Sequence, residues 1–127
     1  MGGVRDLISV VDDDVSVRES LPPLLKSLGF PAEAFESAEA FLQSTSMQKT
    51  ACIVLDITMP GMSGPDLFRE LVRRGLRIPV VFITAIHDDV LRTELLREGA
   101  VDCLYKPFSE NDLEEAVTTA LEKGVRS

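Results

Sequence analysis

The sequence predicts a (βα)5 doubly wound α/β sandwich, a five-stranded parallel sheet with helices on both faces, and three observations carry that prediction. Short runs rich in β-branched residues recur along the chain, segments of helical spacing lie between them, and glycines stand where the helical segments stop. Alternation of this kind joins parallel strands through right-handed crossovers.

The first run, 8–11, is continuously apolar, as a strand buried on both faces must be. Helix 15–28 follows, with Asp14 as its cap, because a short side-chain oxygen can accept a first-turn amide. Pro22 and Pro23 fall inside this helix and remove two backbone donors, which predicts a kink with Leu21, Leu24, Leu25 and Leu28 still facing the core. The strand 31–35 is the least apolar and starts at a proline, so it belongs at a sheet edge. Helix 37–45, strand 52–55, helix 65–74, strand 80–83, helix 89–98 and strand 101–105 continue the alternation. The last helix carries Leu113, Ala116, Val117, Ala120 and Leu121 on one face, and Ser109 with Asp112 forms its capping signature. Gly29, Gly75, Gly99 and Gly124 are the expected helix stops. One domain over 1–127 is expected, with 124–127 as a tail or the start of a linker.

Composition narrows the function. Twenty-one acidic residues against 13 basic ones give the 127-residue chain a net charge of −8, the wrong sign for gripping phosphate backbones or anionic lipid. Direct nucleic-acid binding and membrane attachment by this chain are therefore not expected. Its apolar stretches fall far short of the ~20 residues of a membrane helix, and the acidic triplet 12–14 interrupts any signal-like start, so a cytoplasmic protein is expected. Cys52 and Cys103 lie in apolar runs without metal-ligand spacing, which suits buried reduced thiols.

Four strands run into polar residues: the first into Asp12, Asp13 and Asp14, the third into Asp56, the fourth into Thr84 and the fifth into Lys106. In an open parallel sheet these carboxyl ends share one edge, so residues far apart in sequence converge. Two carboxylates about 5 Å apart at an effective dielectric near 20 repel by about 3 kcal/mol, and a divalent cation relieves that cost. An all-oxygen ligand set with room for water favours Mg²⁺. Thr84 and Lys106 are donors and point to an anionic second occupant, for which phosphate is the natural candidate. Asp56, followed by Ile57-Thr58-Met59-Pro60-Gly61, stands exposed enough to accept a phosphoryl group. Taken singly, an acidic triplet is a helix-capping signal and a Lys-Pro step an ordinary loop; the conjunction at unit-spaced strand ends is what indicates a site.

These residues resemble the receiver domain of bacterial two-component response regulators over about residues 7–121. Val-Asp-Asp-Asp at 11–14, Leu-Asp-Ile-Thr-Met-Pro-Gly-Met-Ser-Gly at 55–64, Ile-Thr-Ala at 83–85 and Lys-Pro-Phe at 106–108 occur in the family's order. With Val17-Arg18 they look most like FixJ-type receivers, which are usually coupled to a helix-turn-helix output domain. The resemblance implies that Asp56 takes a phosphoryl group from a sensor histidine kinase. It implies that Asp12 and Asp13 hold Mg²⁺ directly or through water together with Asp56, that the Thr58 backbone carbonyl completes the shell, and that Thr84 and Lys106 read the phosphate. It further implies strand order 2-1-3-4-5, a cis peptide before Pro107, and signalling through the face of the fourth helix, fifth strand and fifth helix, commonly to a homodimer partner. The chain is then a phosphoacceptor with slow self-dephosphorylation rather than an enzyme, controlling transcription through a DNA-binding domain outside this sequence; a stand-alone single-domain regulator is the alternative.

Cys103 occupies the position, three before the lysine, where the family usually has Tyr or Phe as a rotameric switch. Tyr105 on the same strand face reads as a surface-packed tyrosine, and His87 as an exposed loop residue that could otherwise approach the phosphate. Thr58 carries over in its backbone role only. Asp56-Ile57-Thr58 also resembles the nucleophile motif of haloacid-dehalogenase-type phosphohydrolases, but there the acidic pair follows the nucleophile, and no second Asp stands at 58 as general acid. A receiver-shaped binding module that works without phosphate is disfavoured by the intact Asp13, Asp56, Thr84 and Lys106 set.

Overall fold

The central strands are buried almost throughout, and their successive side chains alternate between the two faces of the sheet, which builds two cores. Ile53 and Leu55 pack with Phe41, Leu67, Phe82 and Leu95 on one side of the sheet, while Cys52 and Val54 pack with Leu25, Ile83, Leu113 and Val117 on the other. A continuous apolar run thus feeds both faces, as a period of two requires of a strand covered on each side.

The computed structural model describes residues 5–126. In chain order the elements are β1 (Leu7–Val11), α1 (Val15–Ser27), β2 (Ala32–Phe35), α2 (Ala38–Gln43), a 3-10 turn (Thr45–Lys49), β3 (Thr50–Asp56), α3 (Gly64–Arg73), β4 (Val80–Thr84), α4 (Asp89–Arg97), β5 (Asp102–Tyr105) and α5 (Glu110–Arg126). The strands form one parallel sheet in the order β2-β1-β3-β4-β5, with the weakly apolar β2 at an edge. Helices α1 and α5 supply one core and α2, α3 and α4 the other. Among the described residues no helix is long and apolar enough to cross a membrane.

Local chemistry fixes the element ends. The Asp14 carboxylate accepts the Ser16 amide at 2.8 Å, and the Ser109 hydroxyl accepts the Asp112 amide at 3.0 Å, so both expected caps form. Ser63 and Asp66 build a reciprocal capping box that starts α3. Gly29, Gly75 and Gly99 adopt positive φ directly after α1, α3 and α4. Helix α1 runs as one element across Pro22 and Pro23, with Leu21, Pro22 and Leu25 buried.

Two expectations need correction. Helix α2 stops at Gln43 rather than at 45, because the Ser44 hydroxyl donates to the Phe41 carbonyl at 2.7 Å and the chain then tightens into the 3-10 turn. Gly124 does not close the last helix: α5 continues through it to Arg126, and a Cβ at 124 would meet Pro79 at 3.6 Å, an ordinary contact. The segment expected as a tail is therefore helical as far as it is described, and Ser127 lies outside the described residues.

Candidate functional site

The order in which strands are added reverses between β1 and β3, since β2 lies on the outer side of β1 and β4 on the far side of β3, and this switch point opens a crevice at the carboxyl ends of the parallel strands. Val11 pairs with Leu55, so Asp12 emerges beside Asp56. Asp56 in turn pairs with Ile83, the residue before Thr84, and Thr84 pairs with Tyr105, the residue before Lys106. Parallel register alone thus aligns the four polar strand ends found in the sequence.

Side chains complete the convergence. Carboxylate oxygens of Asp12, Asp13 and Asp56 all lie within 4.8 Å of one another. Asp12 is fully buried and Asp13 faces solvent; Asp56, expected to stand exposed, is only 6% exposed, because it is the last residue of the central strand β3 rather than part of the loop. The Lys106 ammonium reaches across from β5, 3.0 Å from Asp12 Oδ2 and 3.6 Å from Asp56 Oδ1. The Lys106–Pro107 peptide is cis, as the resemblance implied.

Three carboxylates face one ammonium, and the imbalance shows in the acidities. Burial pushes the Asp56 carboxyl up to about 7; the charges of Asp12 and Asp13 add to the rise, and Lys106 only partly offsets them. Burial works against the Lys106 ammonium, but the hydrogen bond to Asp12 and the charges of Asp56, Asp12 and Asp14 outweigh it and raise its pKa. A set of carboxylate oxygens without nitrogen or sulfur ligands, short of positive charge and open at Asp13, fits a hard divalent cation that keeps some of its water.

Thr84 is 3% exposed. Its Oγ1 accepts the Ile86 amide at 3.1 Å, leaving its O–H to donate, while its carbonyl accepts the Lys106 amide at 2.7 Å. Thr58 lies two residues beyond Asp56 in the loop before α3, its side chain exposed. His87 does not turn towards the carboxylates. Its ring stacks on Tyr105, with centroids 4.1 Å apart and planes at 25°. Cys103 is buried, and burial raises its thiol pKa.

Three supporting residues were not singled out from the sequence for the roles they hold. Arg18, one turn into α1, donates from Nη1 to the Asp12 carbonyl at 3.0 Å, and the Asp14 amide donates to Asp12 Oδ1 at 2.9 Å, so Asp12 is held through both backbone and side chain. Glu39 on α2 accepts the Met62 amide at 3.2 Å and ties down the loop after Asp56. At Gly64 any Cβ would lie 2.2 Å from the Asp56 carbonyl oxygen, so α3 can begin against the backbone of the site only with glycine there. The two glycines of Pro-Gly-Met-Ser-Gly signal a turn, but not which of them makes this approach.

Residues 8–118 match the family described as "Response regulator receiver domain". Nodulation protein W of Bradyrhizobium diazoefficiens is 44% identical over 119 residues, covering 94% of this chain and 52% of that protein. Transcriptional regulatory protein FixJ of Azorhizobium caulinodans is 41% identical over 114 residues, covering 90% of this chain and 54% of that protein. The chain thus spans about half the length of these curated relatives. Among solved structures, FixJ-N superposes with a TM-score of 0.84 at 36% identity, covering 96% of each chain. The response regulator StyR superposes with a TM-score of 0.87 at 42% identity, covering 94% of this chain and 61% of that one.

Proposed function

The chain belongs to the response regulator receiver domain family, and from that premise we propose that Asp56 is its phosphoacceptor, charged by a sensor histidine kinase in a Mg²⁺-dependent reaction. The observation that carries this reading is the meeting, in one crevice, of Asp56 with Asp12, Asp13 and the Lys106 ammonium.

Asp12, Asp13 and Asp56, with the Thr58 backbone carbonyl, would hold the metal. Bound there, Mg²⁺ supplies charge that favours the ionised form of Asp56 near neutrality and neutralises phosphoryl oxygens. An Asp56 oxygen forms a bond to phosphorus as the P–N bond to the kinase histidine breaks, and the leaving imidazole keeps the electron pair and takes up a proton. Lys106, no longer needed by an Asp56 whose charge has moved outwards, pairs with a phosphoryl oxygen. Thr84 donates its O–H to another. Each contact exists only while the phosphoryl group is present, so the group biases the loops that carry Thr84 and Lys106 between two arrangements. Slow self-dephosphorylation resets the site.

Support for an output comes from the relatives rather than from this chain. FixJ is named a transcriptional regulatory protein, and about half of its length lies outside the match. We assign the present chain the same place, a single receiver domain in the cytoplasm that controls a DNA-binding domain through α4, β5 and α5, with a homodimer as the coupled state. The acidic balance of the chain argues against nucleic-acid contact by the receiver itself.

Phosphorylation by acetyl phosphate with Mg²⁺ tests the assignment. The wild type is expected to acquire one acid-labile phosphate and Asp56→Asn none; persistent labelling of Asp56→Asn would refute Asp56 as the acceptor.

A further inference from the structure

Outside the carboxylate crevice, the best-defined side-chain cluster lies where the loop between β4 and α4 meets β5. His87 stacks on Tyr105 at 4.1 Å, and the Tyr105 hydroxyl donates to Asp89 Oδ1 at 2.5 Å. That bond holds the phenol proton and raises the Tyr105 pKa to about 12. The ring is therefore gripped from two sides by residues at the two ends of one short stretch, 87–89, which leads into α4.

Both anchors of this contact adjoin the site. Tyr105 is the ladder partner of Thr84 and the residue before Lys106. His87 follows Ile86, whose amide is bonded to the Thr84 hydroxyl at 3.1 Å. When Thr84 turns its hydroxyl towards a group on Asp56, either that bond breaks or the loop moves with it. There is room for the loop to move: a cavity of ≈ 100 Å³ lies beside it, bounded by Ile57, Thr58, Thr84, Leu91 and the small side chain of Cys103, and by Ile86 and Asp88 of the loop itself. Ile86, 60% exposed although it lines that cavity, is placed to fill it.

We propose that His87, Asp89 and Tyr105 form a clasp on the outside of β5 that positions Thr84 in the resting state, and that occupancy of Asp56 draws the loop inwards and parts the clasp. His87 and Tyr105 are positioning residues here: they touch neither metal nor phosphoryl group and act through Thr84. The proposal rests on the phosphoacceptor reading and adds the conformational step that occupancy must drive. Stacking and the phenol hydrogen bond favour the resting loop, so each weakens ligand capture by the amount it contributes.

Tyr105 is the sole tyrosine and the chain has no tryptophan, so intrinsic emission reports on this ring alone. A stacked imidazole and a carboxylate acceptor both quench tyrosine. The experiment is a titration with beryllofluoride and Mg²⁺ at fixed pH, with occupancy of Asp56 followed by the ¹⁹F resonance of the bound ligand and the clasp by tyrosine emission. In the wild type, emission is expected to rise in step with the bound ¹⁹F signal. His87→Ala is expected to start bright, to show little further rise, and to bind beryllofluoride about two- to tenfold more tightly. Tyr105→Phe keeps the ring contact, loses the bond to Asp89, and is expected to bind between wild type and His87→Ala. Thr84→Ala is expected to bind without a rise in emission. A bound ¹⁹F signal with unchanged emission in the wild type, or unaltered affinity in His87→Ala, would overturn the clasp. Absence of any bound resonance would overturn the phosphoacceptor reading, and the clasp with it.

Discussion

Carboxylates occur in this protein in two settings that differ in balance. On the exposed surface joining α3 to the end of α4, Arg69 grips Glu98 through Nε and Nη2 at 2.9 and 2.8 Å, and Glu70 is shared by Arg73 and Arg74. Each acid there has its cation, and the Glu98 carboxyl is held below its usual range by the hydrogen bond to Arg69. At the switch point the one lysine reaches two of three clustered acids, Asp12 and Asp56, and the Asp56 carboxyl is pushed the other way, up to about 7. Paired charge on the surface needs nothing further; the acidic cluster has room in its charge balance for another cation. The shifts run in opposite directions, and a carboxyl raised by burial and like charge marks a candidate functional site where a paired surface acid does not.

The backbone beneath the cluster is the least tolerant point. Gly64→Ala places a methyl group 2.2 Å from the Asp56 carbonyl oxygen, and backbone must shift to make room. We expect a loss of about 3 kcal/mol or more in urea unfolding, together with weakened Mg²⁺ binding. The same substitution at Gly29 or Gly75, where nothing lies within 4 Å, costs only the strain of a positive φ.

The Asp56 acidity predicts the next effect and its sign. Because the folded-state pKa, about 7, lies above the ordinary value of 3.8, the folded protein holds a proton that the unfolded chain releases. Its stabilising contribution is complete at low pH and is lost as pH rises from about 4 through about 7. In metal-free protein, Asp56→Asn removes that loss, and it is expected to be more stable than wild type at pH 8, by up to about 4 kcal/mol, with little advantage at pH 4. Thermal unfolding at both pH values with a chelator present measures it.

Lys106→Met removes the ammonium that now occupies Asp12 and Asp56. Calorimetry is expected to show Mg²⁺ bound several-fold more tightly, since the metal no longer displaces a resident cation. The smallest effect belongs to the surface: Arg69→Ala is expected to cost no more than about 0.5 kcal/mol, and less in high salt, although its pair has two short hydrogen bonds.

Much of this was legible in the sequence because it depends on period and punctuation. Asp12, Asp56, Thr84 and Lys106 each end or directly follow an apolar strand, and parallel register then brings them to one edge. The caps at Asp14 and Ser109 and the stops at Gly29, Gly75 and Gly99 are local chemistry of the same kind. Contacts set by tertiary approach were not legible. Nothing in the order of residues brings His87 onto Tyr105, since that needs the path of the loop after Thr84. Gly124 looks like a helix stop, yet α5 has room to continue beside Pro79. Gly64 is required by the distance between two backbones, which no residue pattern records.

Central to the proposed function is that Asp12, Asp13 and Asp56 can together hold a hard divalent cation. Calorimetric titration with Mg²⁺ at pH 7, repeated in buffers of different ionisation enthalpy, tests it most directly. One site is expected, with about half a proton released per ion as Asp56, half protonated at this pH, ionises, and with that release absent in Asp56→Asn and binding strongly weakened in Asp13→Ala. Binding that releases no proton and is unchanged in both variants would place the metal elsewhere and contradict the account.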